Sequence, residues 1–354
     1  MNKYVKRYLI DAMGGMAQGL FASLLIGTII KTLGQQLLRL GTNPVFEFLV
    51  SAGSFASEPH VVGAAMAVGI GYAMNASSLV LFTLVAVGAA ANVSGGAGGP
   101  LAVLIIAVLS SECGMLVSKK TKVDIIVTPF VTIIAGIFFT LLFAGHIGKA
   151  SYAFGNLIIW ATTLKPFLMG ILISVIVGIL LTLPVSSAAV CAALGLTGFA
   201  GGAAVAGCCA QMVGFAVMSF KENGWSGILS QGLGTSMLQM PNIVKNPRIW
   251  IPPTLASVVI GPVATCVFKM QMNGAAVSSG MGTCGLVGQI GIITGWFEPS
   301  QTAVEHGAFA VSPGFADWLG LVLVCFVLPA VFSVLFCSIL REIGWIKDGD
   351  LVLQ

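Results

Sequence analysis

Charge is what this sequence has least of. Its 354 residues include 16 Lys or Arg and 12 Asp or Glu, 8% in all, where soluble domains carry about 25%. With a mean hydropathy of +1.01, a water-soluble domain is excluded. Histidine is scarce as well, with three residues at 60, 146 and 306. None of the eight cysteines belongs to a C-x-x-C pair. No metal-ligand cluster and no nucleophile, base and orienter in register can be drawn from such a set, so neither a cofactor nor an enzymatic site is expected. The net charge of +4 sits in short clusters and not along a face that could follow a phosphate backbone, which excludes nucleic acid as a partner.

What remains is apolar and interrupted. Stretches without Asp, Glu, Lys or Arg run over 12–30, 59–111, 125–148, 166–220, 223–244, 249–268, 270–297 and 318–340. A membrane-spanning helix needs roughly 20 apolar residues, so 59–111 and 166–220 each hold two or more passes and the total comes to about eight to ten. The expected fold is an all-α polytopic membrane protein, a single membrane-embedded domain over 1–354. The basic and aromatic segment 1–10 reads as interfacial and the mixed-charge segment 341–354 as a polar tail. Lys3, Lys6 and Arg7, together with Lys119, Lys120 and Lys122, place the N-terminus in the cytoplasm by the positive-inside rule. Residues 226–240 follow Trp225, are too short and too rich in Gly, Ser and Gln for an ordinary span, and read as re-entrant. Breaks are expected near 75–78, at Asn92–Pro100, at Pro184 and over 280–291, where Gly and Pro interrupt the apolar pattern. The eight cysteines all fall in apolar runs and read as small buried thiols.

Chemistry is sought where polar groups enter apolar runs, because each costs a few kcal/mol in hydrocarbon unless it is paired or faces water. Two Glu-Pro pairs stand out. Glu58-Pro59 precedes His60, and Glu298-Pro299 precedes Glu305-His306. Their plain role is to cap helices that begin at the proline. Their functional role is to exchange hydrogen bonds with a polar solute. The glycine-rich Asn92–Pro100 lacks the Lys-Ser/Thr of a phosphate loop, and Gly280–Gly285 fits G-x-G-x-x-G without a βαβ context. The segment Gln239–Pro253 holds four prolines with Lys245, Arg248 and Trp250, and reads either as a rigid connector or as a cytoplasmic gate. The candidate solute-binding residues are Glu58, His60, Asn92, Gln239, Asn242, Glu298 and His306.

Residues 121–136, Leu183–Ala189 and 237–257 resemble the IIC membrane subunit of bacterial phosphoenolpyruvate-dependent sugar phosphotransferase systems, in the stand-alone branch that includes the clostridial perfringolysin O regulator. The resemblance implies a polytopic transporter in the bacterial plasma membrane, a homodimer in which a substrate-binding part moves against a scaffold. It also implies a sugar or sugar-like solute. In sugar-transporting relatives a Gly-Ile-Thr-Glu motif and a histidine hold sugar hydroxyls. Gly295-Trp-Phe-Glu298 keeps only the glycine and the acid of that motif. No fused IIA or IIB domain is expected, so phosphorylation would come from separate subunits. A membrane sensor that binds a solute and controls gene expression through a partner stays open beside the transporter.

Overall fold

The computed structural model describes Tyr4 and residues 6–353; Asn2, Lys3 and Val5 of the expected interfacial segment lie outside the described residues. Among the described residues the chain is helical throughout, with no strand beyond an isolated antiparallel bridge between Gly198 and Met272. Six stretches are long and apolar enough to cross a membrane, and four shorter apolar helices of 10–17 residues accompany them. The all-α polytopic expectation is met. The chain divides into two compact units, Met1–Ser151 and Tyr152–Gln354.

The first unit contains α1 (Lys6–Arg39), α2 (Pro44–Ala56), α3 (Pro59–Ala73), α4 (Ser78–Gly95), α5 (Gly99–Val117) and most of α6 (Asp124–Thr162). Proline opens α2 and α3 because its missing N–H is an orphan at that position anyway. The Asn43 side chain caps α2 by accepting from the Val45 N–H at 2.9 Å. The expected break near residue 75 is a turn with Asn75 at φ 56°. The break expected at Asn92–Pro100 is real as well. Gly96, at φ 53° and ψ −122°, ends α4, and α4 and α5 then fold back on each other. Helices approach closely where side chains vanish: a Cβ on Gly15 would collide with the Gly69 carbonyl, and one on Gly63 with the Gly88 carbonyl. Such contacts supply the packing that apolar burial alone cannot provide in lipid.

The second unit is built on α9 (Gly198–Met218), which is almost wholly buried. Around it lie α7 (Pro166–Thr182), α8 (Ser187–Ala193), α10 (Phe220–Leu229), α11 (Met240–Lys245), α12 (Pro247–Val267), α13 (Val287–Phe297), α14 (Gln301–Glu305) and α15 (Phe315–Glu342). Gly207 lets α9 touch α7, since a Cβ there would overlap the Ser174 carbonyl. Gln211 lies within α9 with no exposed surface, and both ends of its amide are hydrogen-bonded. Its Oε1 accepts from Trp250 Nε1 at 3.0 Å and Thr182 Oγ1 at 3.3 Å, while its Nε2 donates to Thr254 Oγ1 at 3.3 Å. The four prolines of 239–253 break less than their number suggests. Pro241 sits in the first turn of α11, and Pro247, Pro252 and Pro253 in the first turns of α12, where the lost donors are not needed. Six of the eight cysteines are buried as expected, whereas Cys113 is half-buried and Cys266 exposed.

A candidate solute cavity

The second unit encloses a cavity of about 660 Å³ between α6, α7, the turn before α9, residues 271–273 and the end of α14. Its position follows from local chemistry. After α8 the chain turns at Gly195, φ 58°, a conformation that costs glycine little, and reaches Thr197 and the start of α9. There Gly198 exchanges two backbone hydrogen bonds of 3.0 Å with Met272. That bridge fixes the pleat of 271–273. Side chains alternate along an extended chain, so Met272 enters the core with no exposed surface while Gln271 and Asn273 line the cavity.

Five polar side chains meet this space, of which Thr162 already donates its hydroxyl to the Ile159 carbonyl at 2.7 Å. His306 Nδ1 and Thr197 Oγ1 lie 3.1 Å apart. Asn273 Nδ2 donates to Gln271 Oε1 at 3.1 Å. The Thr197 hydroxyl does not cap α9, and the first-turn residues Phe199 and Ala200 also line the cavity. First-turn N–H groups have no acceptor within their own helix. Asn273 is only 5% exposed, yet its Oδ1 has no partner. No Asp, Glu, Lys or Arg is among the lining residues. The arrangement therefore offers donors and acceptors without net charge, in a volume typical of small-molecule sites, roughly 300–1,000 Å³. A smaller cavity of about 230 Å³ adjoins it, sharing Gln271, Asn273, Gly307 and Ala308 and adding Lys269, Trp296 and Asp317.

The sequence candidates distribute unevenly. His306 lines the larger cavity. Glu298 is exposed and absent from its lining, but Ser300, two residues on, donates its N–H to the Asn273 carbonyl at 2.8 Å. The two Glu-Pro pairs prove unlike. Glu58 does cap α3, accepting from Val61 N–H at 3.4 Å. Glu298 instead follows the C-terminus of α13, and Ser300 caps α14 in its place. The physical reason is chain length: two more residues, Pro299 and Ser300, separate Glu298 from the next helix, so its carboxylate misses the first turn. Glu58 also bonds His60 at 2.6 Å, which holds the Glu58 carboxyl below its ordinary pKa. Asn92 donates to the Pro59 carbonyl at 2.7 Å, joining that cluster within the first unit.

Gln239 and Asn242 spend their amides on each other and on the carbonyls of Leu351 and Val352. Glu112 lies 2.9 Å from Arg7 and forms an ion pair with it. Thr197, Gln271 and Asn273 escaped sequence reasoning. The available signal was the alternation Met270-Gln-Met-Asn273 between two apolar helices, a period of two in an otherwise helical chain.

A family model described as Phosphotransferase system, EIIC matches residues 10–353, through both units. No curated protein matches the chain, and no solved structure does.

Proposed function

Because the chain belongs to the EIIC family of the phosphotransferase system, whose members are membrane permease parts, we propose that it carries an uncharged, hydroxyl-rich solute of sugar type, held in the 660 Å³ cavity of the second unit. The observation that carries this reading is the lining itself: Thr197, Gln271, Asn273 and His306 with no charged side chain. A hydroxyl both donates and accepts. It accepts from the Phe199 and Ala200 N–H groups in the first turn of α9 and donates to the lone pairs of Thr197 and Gln271, whereas an ionised carboxylate could only accept.

On this reading the chain works as one membrane-embedded domain in a homodimer of the bacterial plasma membrane, with its N-terminus in the cytoplasm and residues 226–240 re-entrant. Separate IIA and IIB subunits supply any phosphoryl group. Glu298, outside the lining and two residues before Ser300, is on this reading a further polar contact of the solute.

Purified protein titrated with a panel of neutral sugars and polyols, and with anionic analogues, tests the proposal. Binding of a neutral member that is weakened by Asn273→Leu and by His306→Gln is expected. Selective binding of the anions, or binding indifferent to both substitutions, would overturn it. Uptake into proteoliposomes separates a carrier from a sensor built on the same cavity, since a sensor binds without net transport.

A further inference from the structure

The segment after α15 is not a loose end. Gly344, at φ 78°, reverses the chain, and residues 345–353 lie along the α10–α12 segment of the same unit. What holds them is unusual in kind, because side-chain amides grip their main chain. Asn223 Nδ2 and Gln239 Nε2 both donate to the Leu351 carbonyl, at 2.8 and 3.0 Å. Asn242 Nδ2 donates to the Val352 carbonyl at 2.8 Å, and Asn223 Oδ1 accepts from Leu353 N–H at 2.9 Å. Nearer α15, Asn246 Nδ2 donates to the Trp345 carbonyl and to Asp350, and Asp348 bridges Lys221 and Arg341 at 2.9 Å each. Only two large apolar side chains, Ile346 and Leu351, are buried as anchors. A segment held by polar bonds that water can replace separates without emptying a core.

The seat is also wired inward. Gln239 Nε2 donates to Gln231 Oε1 at 2.9 Å, and Gln231 Nε2 donates to Ser219 Oγ at 2.9 Å. The neighbouring Gly232 carbonyl accepts from Thr283 Oγ1. Four residues back, Ser279 Oγ donates to the carbonyl of Leu196 at 2.6 Å, and Leu196 lines the large cavity.

We propose that residues 345–353 are a latch acting in cis. Seated, they fix 219–246 and, through the Gly232–Thr283 and Ser279–Leu196 bonds, stiffen the cavity wall; released, they loosen it and weaken solute binding. The second half rests on the cavity being the solute site, whereas the mechanical half does not.

Hydrogen exchange of the full chain in nanodiscs tests it, with Asn223→Ala/Asn242→Ala as the releasing variant and Asp348→Asn as a milder one that leaves the amide seat intact. The double variant removes three hydrogen bonds to 351–353, so exchange at 350–353 is expected to be about a hundred-fold faster, with Asp348→Asn in between. Exchange at 276–283 is expected to rise in parallel. A freed tail with unchanged exchange at 276–283 would overturn the coupling, and an unchanged tail in both variants would overturn the latch. Failure of wild-type protein to bind any neutral solute would count against the cavity reading alone, because the exchange result stands without a solute.

Discussion

Replacing Asn273 by leucine should separate stability from binding. In the empty protein Asn273 is 5% exposed, its Oδ1 is unpaired and its Nδ2 makes one bond, to Gln271. An unpaired buried acceptor costs about 1–3 kcal/mol and a typical intramolecular hydrogen bond contributes about 0.5–1.5 kcal/mol. Leucine has nearly the same shape, removes the first and forfeits the second. The net effect lies between a loss of about 0.5 and a gain of about 2.5 kcal/mol. Stability should therefore hold or rise, where most substitutions of buried residues lower it. The Gln271 amide, itself on the cavity, exchanges its lost partner for water. Binding should move the other way, because the solute loses the Asn273 amide from the cavity lining, and a cost of about 1.4 kcal/mol weakens affinity ten-fold. Thermal unfolding in detergent and calorimetric titration of the same preparation measure both quantities. A melting temperature that falls by several degrees while affinity stays unchanged would show that Asn273 is structural and would refute the reasoning.

Gly207→Ala should abolish or severely destabilise the folded protein, by about 3 kcal/mol or more, because the new methyl overlaps the Ser174 backbone carbonyl. Gly145→Ala, where the added methyl meets nothing within 4 Å, should be near neutral, and melting temperatures of the pair measure the difference. Since the folded Glu58 carboxyl is depressed below 4.5 chiefly by its bond to His60, its small contribution is fully present above that value and is lost as pH falls through the folded one. Melting curves should then show a Glu58-dependent loss in acid solution below about pH 4.5, which Glu58→Gln removes. Glu298→Gln, outside the cavity lining, should weaken solute affinity by less than Asn273→Leu does in the same titration; a larger effect would move the centre of the site toward α13.

Helix breaks were legible in the sequence because they rest on residues with few alternatives. The Gly95–Gly99 stretch, Asn75 and Pro184 each interrupt a helix for local reasons that need no tertiary context. The capping role of Glu58 was legible for the same reason. Glu298 was misjudged because a Glu-Pro pair looks alike at either end of a helix, and only the length of chain up to Gln301 decides which end it serves. Gln239 and Asn242 were singled out as solute ligands, yet their amides hold carbonyls more than 100 residues away in sequence, at Leu351 and Val352. No local pattern announces such a partner. Gln271 and Asn273 were missed because their surroundings are helical, and only the bridge to Gly198 makes two-residue alternation meaningful.

That bridge makes 271–273 a two-sided ribbon, and insertions or deletions act on such a ribbon differently from substitutions. Losing or gaining one residue next to Met272 would turn its thioether toward the cavity and an amide into the core, exchanging a wet face for a dry one in a single step. Met272 itself tolerates another apolar side chain of similar bulk without disturbing what a solute meets. The spacing of this stretch is thus held more tightly than its composition, and a change in chain length there would alter what the cavity accepts before it altered the fold.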